Sequence, residues 1–139
     1  VGSEMCIRDR PDETRPAGEA GLREITERLS LGGRRSVVLT GASLAPGRTG
    51  AVCFDARTGK TEAVQTAYVA HEFHGTGDVF SSVLTGALVR GESLSSAAGE
   101  AAAFVRACAE RTAAEDLPMR EGVDFEPLLG LLIPGKETV

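Results

Sequence analysis

No run of apolar residues in this sequence approaches the roughly 20 needed to span a bilayer as a helix. The chain does not open with the charged start and apolar centre of a secretory signal. Basic residues are sparse: 15 Lys and Arg stand against 20 Asp and Glu, for a net charge of −5. The only basic cluster is the pair Arg34-Arg35, which argues against a nucleic-acid surface. Cysteine is scarce as well. Cys6, Cys53 and Cys108 show no paired spacing, and neither His71 nor His74 meets a cysteine at metal-ligand spacing. A disulfide scaffold and a zinc cage are therefore not expected. Cys53 in a strand-like run and Cys108 in a helical one read as buried thiols of a reducing, cytoplasmic compartment. There is no internal repeat. What is present is ordinary for a soluble domain: 139 residues, 42% hydrophobic and 25% charged.

Hydrophobic spacing divides the chain. Residues 1–16 have neither helical nor strand periodicity. Val1 to Arg10 resembles a translated adapter, with a natural disordered arm as the alternative, and Pro11 to Pro16 reads as linker. The domain is then expected over 17–139. Leu22, Ile25 and Leu29 predict a helix over about 18–30, ended by Gly32-Gly33. Ser36 to Thr40 is a short β-branched run that reads as a buried strand. Residues 42–49 read as loop. Gly50 to Ala56 and Glu62 to Val69 read as two strands joined by the Arg57-Thr58-Gly59-Lys60 turn, an antiparallel hairpin.

Residues 70–77 form a second loop. A helix over 78–90 places Val79, Phe80, Val83, Leu84, Ala87 and Leu88 on one face. Another helix, capped by Ser93 or Ser95, carries a small-residue stripe from Leu94 through Cys108 and runs to about Ala114. Phe125 to Leu132 reads as a terminal helical turn or two, stopped by Pro134. One strand, a hairpin and paired helices imply α/β layering.

The most informative segment is His74-Gly75-Thr76-Gly77-Asp78 at a helix start. First-turn N–H groups have no partner within the helix and carry the positive end of its dipole. Glycines there let an anion approach the backbone. Asp78 stands beside this cradle, where it could serve as a base or simply as a dipole partner. Donors for developing charge plus a base for a hydroxyl proton are what phosphoryl transfer to an alcohol requires. Two other phosphate loops do not fit. The dinucleotide fingerprint needs glycine at position 80, where Phe80 stands, and no Gly-x4-Gly-Lys-Ser/Thr stretch exists.

The segment from Phe73 to Leu88 resembles the C-terminal signature of the ribokinase-like kinases, and within them the pyridoxal/pyridoxamine kinases. Arg120 to Leu129 resembles the end of bacterial pyridoxamine kinases. Thr76 with Asp78 favours the vitamin B6 branch over related sugar kinases, which usually carry Gly-Ala-Gly-Asp. It also favours that branch over hydroxymethylpyrimidine kinases, which commonly end the box in Cys. The resemblance implies the C-terminal part of a ribokinase-like three-layer α/β sandwich. It implies transfer of the ATP γ-phosphoryl group to the 5′-hydroxymethyl group of a B6 vitamer, with Mg²⁺ and a monovalent cation as companions. Asp78 would be the base, and Gly75, Thr76 and Gly77 the anion hole. Thr40 and Gly41 would lie near the nucleotide phosphates, or be a solvated strand end. Phe73 and His74 would flank the adenine side. The parent would be a homodimer, with small-molecule substrates and neither nucleic acid nor membrane as partner. The isolated chain, lacking the early strands and substrate lid of the family, would be inactive; the alternatives are a related sugar or hydroxymethylpyrimidine kinase, or a non-catalytic nucleotide- or anion-binding α/β module.

Overall fold

A computed structural model describes residues 18–70, 73–115 and 122–133. The expectations for the leader 1–16, Cys6, His71 and the stop at Pro134 lie outside the described residues.

Helix α1 spans Gly18–Leu29 and strand β1 spans Val37–Thr40. The hairpin follows as β2, Arg48–Asp55, and β3, Lys60–Ala67. Its turn is held by the Gly59 N–H donating to the Asp55 carbonyl at 2.7 Å, while the Asp55 carboxylate accepts from Arg57 N–H at 2.9 Å. Short polar side chains that bond the backbone two residues on favour such turns. The three strands form one antiparallel sheet in the order β1-β2-β3. Val37 stands opposite Phe54 and Thr40 opposite Ala51, while Arg48 pairs with Ala67 and Asp55 with Lys60.

Alternation along β2 sorts the two faces. Ala51 and Cys53 join a buried cluster with Phe80, Val83, Leu94, Ala98, Ala101, Phe104 and Cys108 from the following helices. The intervening Val52 and Phe54 are buried outside that cluster, and α1 packs against β1 and β2. Arg23 of α1 also donates to the Thr61 carbonyl of β3 at 2.6 Å. The layers are thus α1, the sheet, and a pair of helices. These are α2, Thr76–Val89, and α3, Leu94–Ala114, packed on each other, with α3 against β2 and β3. Ser93 caps α3, accepting from Ser96 N–H. The small-residue stripe of α3 is what lets the sheet and α2 approach closely: Ala97, Ala98 and Ala101 are fully buried.

Several boundaries and burials differ from expectation, among them β3, which runs Lys60–Ala67 in place of Glu62 to Val69 and takes in Lys60 of the expected turn. The loop expected over 42–49 is shorter, because β2 begins at Arg48. The strand expected to be buried is half-exposed, with Thr40 exposed, because among the described residues only β2 pairs with it. Helix α2 starts at Thr76, two residues early. Leu88, expected on the apolar face, is 39% exposed at the helix end. The terminal segment is a 3-10 helix over Glu126–Leu132.

Candidate active site

Gly75 is the residue that starts α2. Its φ of 84° and ψ of −5° lie in the left-handed region, which glycine enters without the Cβ penalty. The first helical bond runs from Val79 N–H to the Gly75 carbonyl at 3.0 Å. Thr76, Gly77 and Asp78 therefore occupy the first three helical positions, whose N–H groups face out of the helix start. No side chain caps this end. Gly75, Gly77 and Asp78 are exposed, and Thr76 is half-buried, its hydroxyl 3.5 Å from the Phe73 carbonyl.

Asp78 opens into a cavity of about 560 Å³. One wall is a single face of α2: Asp78, Ser82, Gly86 and Arg90, each four residues from the next, with Val79 and Val83 beside them. At 1.5 Å per residue the wall runs about 18 Å from the aspartate to the arginine. The facing wall is apolar, made by Phe104 of α3 and by Val123, Phe125, Leu129 and Leu132 of the tail. His74, Gly75 and Gly122 complete the lining at the Asp78 end.

The charge at the far end is already paired. Arg90 Nη2 donates to Glu92 Oε1 at 2.9 Å and to Glu100 Oε2 at 2.6 Å. The Ser96 hydroxyl, and after it Arg90, hold the Glu92 carboxyl below its ordinary range. An anion entering this cavity would thus meet unpaired charge stabilisation chiefly at the helix start, where main-chain dipoles are fixed. Ser82 and Ser81 turn their hydroxyls back onto the helix, donating to the carbonyls of Asp78 at 2.8 Å and Gly77 at 2.9 Å.

The tail is clamped so that the cavity keeps its shape. Val123 N–H donates to the His74 carbonyl at 3.1 Å. Asp124 N–H donates to the Thr112 hydroxyl at 2.9 Å, and that hydroxyl donates to the Cys108 carbonyl at 2.7 Å. Arg111 Nε reaches Asp124 Oδ2 at 3.0 Å, and this bond raises the arginine's pKa.

The sequence-derived residues divide in two. His74, Gly75 and Asp78 line the cavity, and Thr76 and Gly77 lie beside them in the first turn. Phe73 is half-buried against the core cluster instead of lining the cavity. Thr40 and Gly41 are exposed and do not line it either. The strand register nevertheless sets the end of β1 at the same end of the sheet as the end of β3, from which the chain runs on to Gly75. Sequence reasoning passed over Ser82, Gly86 and Arg90, although their four-residue spacing from Asp78 marks one helical face. It had no signal for the apolar wall, which depends on how the tail folds back. Among the described residues no group of three His, Cys, Asp or Glu side chains could hold a metal ion. No helix among them is long and apolar enough to cross a membrane.

Comparison with known proteins bears on this site. Among solved structures the chain is similar to a Bacteroides thetaiotaomicron VPI-5482 protein provisionally described as a phosphomethylpyrimidine kinase. The identity is 25% and the TM-score 0.76, over 91% of this chain and 44% of that one. An orthorhombic form of that protein, with pyridoxal, matches at 26% identity and TM-score 0.73, over 87% and 43% of the two chains. Pyridoxal kinase from Lactobacillus plantarum matches in fold at 24% identity and TM-score 0.70, over 88% and 43%. The chain thus spans less than half the length of these neighbours. No curated protein gives a significant match. The family model described as phosphomethylpyrimidine kinase matches residues 13–122, which include the whole glycine-rich helix start. With that match, and with the layered α/β fold it shares with pyridoxal and phosphomethylpyrimidine kinases, the chain belongs to the phosphomethylpyrimidine kinase family of the ribokinase-like superfamily.

Proposed function

We propose that this chain is the phosphoryl-transfer part of a kinase that phosphorylates the 5′-hydroxymethyl group of a B6 vitamer. The observation that carries the reading is Asp78. Its carboxylate sits in the first turn of α2, exposed, at the mouth of a cavity and beside outward-facing main-chain amides. In this reading the amides of residues 75–77 bind the transferring phosphoryl oxygens and stabilise charge as it spreads over them. Asp78 accepts the proton of the attacking hydroxyl, whose oxygen forms the new P–O bond as ADP leaves. The apolar wall formed by Phe104, Val123 and Leu129 offers a competing water no hydrogen-bond partner on that side.

Gly77 supports the cradle independently. A Cβ built at that position meets nothing within 4 Å, and its φ lies outside the left-handed region. Neither packing nor backbone conformation calls for glycine there, whereas close approach of an anion does. Mg²⁺ enters this scheme with ATP, and no residue of the chain is assigned to it. A monovalent cation, a homodimeric parent and a cytoplasmic setting belong to the same proposal.

The acceptor has a second reading. The matching family model is described as phosphomethylpyrimidine kinase, which favours a hydroxymethylpyrimidine. The neighbour in its form with pyridoxal, at 26% identity, favours the vitamer. Both acceptors present a primary alcohol on an aromatic ring, so the same base and cradle would serve either.

The test is Asp78→Asn in a full-length kinase carrying this sequence, assayed with pyridoxal, pyridoxamine and hydroxymethylpyrimidine. The proposal expects turnover to fall by about 10²–10⁴-fold, the range for removing a positioned general base, while ATP binding persists. Unchanged turnover removes the role of Asp78, and preference for the pyrimidine replaces the vitamer. The 139-residue chain alone is expected to turn over no ATP, since it spans 44% of its kinase neighbour.

A further inference from the structure

Between α3 and the start of α2 lies a strap of three residues, Gly122-Val123-Asp124, in neither helix nor strand. Its successive N–H groups bond to different elements. That of Val123 donates to the His74 carbonyl at 3.1 Å, and that of Asp124 donates to the Thr112 hydroxyl of α3 at 2.9 Å. Between them the Val123 side chain is buried in the core cluster. The strap is thus pinned at its middle and held on both sides, and one of its two holds is the carbonyl of the residue just before Gly75.

The α3 side of the strap is firmly anchored. The Thr112 hydroxyl is 1% exposed and donates in turn to the Cys108 carbonyl at 2.7 Å, so its oxygen is fixed for the bond from Asp124. The Asp124 carboxylate adds a charge-assisted bond, Arg111 Nε to Oδ2 at 3.0 Å. Arg111 is itself held by Glu115, one turn further along. The cradle side is built more loosely. No side chain caps α2, Gly75 and Gly77 have none to offer, and the Thr76 hydroxyl stands 3.5 Å from the Phe73 carbonyl. Such a helix start takes its position from what holds the carbonyl that enters it. Gly122 and Val123 line the cavity, whereas Asp124 does not, so Asp124 can act on a reaction there only through its neighbours.

We propose that Asp124 is a positioning residue for phosphoryl transfer: by tying the strap to Arg111 and Thr112 it fixes the His74 carbonyl, and with it the amide cradle of residues 75–77. This rests on the reading of that helix start as the place where the phosphoryl group is received. Reacting geometry tolerates little error, and a misplacement of about 1 Å can cost on the order of a hundredfold in rate.

The test uses a full-length kinase carrying this sequence. Asp124→Ala should lower kcat at least about tenfold, leave the KM for the alcohol acceptor within about twofold, and speed amide exchange at Val123. Asp124→Asn, whose side-chain oxygen still accepts from Arg111, should recover most of that kcat. Thr112→Val removes the other hold on the same residue and should move kcat and Val123 exchange in the same direction; it carries the test if Asp124→Ala does not fold. Ser30→Ala is the control for general destabilisation. It deletes a buried hydroxyl beyond the end of α1, bonded to Glu27 and Gly33, and should lower the melting temperature while keeping kcat. Full kcat in Asp124→Ala, an equal loss in Ser30→Ala, or an Asp124→Asn enzyme no faster than Asp124→Ala overturns the positioning role. Asp78→Asn keeps the two questions apart. Its full activity would remove the base, and a slow Asp124→Ala enzyme beside it would still support the strap. An inactive Asp78→Asn beside a fully active Asp124→Ala would remove the strap alone.

Discussion

The carbonyl of His74 and the N–H of Val123 are 3.1 Å apart in a hydrogen bond that joins two segments 49 positions distant in sequence. One segment opens α2 and presents the amide cradle; the other walls the cavity into which Asp78 opens. The loop and the tail therefore hold each other in place.

Gly122 is where this joint is most sensitive. Its φ of +79° suits glycine, and a Cβ there would lie 3.2 Å from the His74 carbonyl oxygen. Gly122→Ala combines left-handed backbone strain with that crowding. We expect a loss of about 1–2 kcal/mol, the cost of placing a Cβ residue in this region, read as a lower urea midpoint. Gly130→Ala is the control: a Cβ at Gly130 meets nothing within 4 Å, and the midpoint should hold.

Thr112 fixes the tail from the other side. Its hydroxyl is almost fully buried, donating to Cys108 and accepting from Asp124. Thr112→Val keeps the shape and leaves the Asp124 N–H without its partner. Stability should fall by about 1–3 kcal/mol, the penalty for an unsatisfied buried group. Thr112→Ser should restore most of it, and thermal or urea unfolding of the pair would decide.

The two buried thiols set an alkaline limit on stability. Burial, and then the charge of Glu62, pushes the Cys53 thiol up from 9.0 to about 11. Burial, and then Asp124, does the same for Cys108, also to about 11. The unfolded chain ionises these groups from about pH 9, while the folded chain keeps their protons. Their contribution is therefore complete below pH 9 and is lost as pH climbs through 11. The urea midpoint should drop over that interval, and less so in a Cys53→Ala/Cys108→Ala variant. In a Cys6→Ser background, thiol reagents at pH 8 should react with the native protein slowly and with the urea-unfolded protein fast.

Periodicity made most elements legible. The 3.6-residue spacing of α1, α2 and α3 and the turn residues of the β2–β3 hairpin are local signals, and the elements stand within a few residues of where they place them. The start of α2 was misjudged because Thr76 and Gly77 look like loop residues; the left-handed Gly75 is what lets the helix begin there. The half-exposure of β1 was not legible in its own residues, since an apolar run says that a strand wants covering and not whether its neighbour is present; an exposed sheet edge was expected only from the resemblance, which leaves the early strands out of this chain. The cavity was half legible. Asp78 and the glycines declare themselves, but Phe104, Val123 and Leu129 become a wall only through the contacts of Asp124 with Thr112 and Arg111.

Gly75 and Gly77 should respond differently to the same substitution, and the difference separates a structural glycine from a functional one. Gly75→Ala strains a residue at φ +84° and should lower stability. Gly77→Ala meets open space inside the first turn of a helix, where alanine is preferred over glycine by up to about 1 kcal/mol. The Gly77→Ala protein should be as stable as the parent, or more so. If main-chain amides at this turn receive the transferring phosphoryl group, the added methyl stands where its oxygens must come. In a full-length kinase carrying this sequence, Gly77→Ala should then lower kcat/KM for ATP by at least about tenfold, or 1.4 kcal/mol of transition-state stabilisation, with an unchanged melting temperature. Full activity in a stable Gly77→Ala enzyme would leave α2 with an ordinary helix start and no anion cradle.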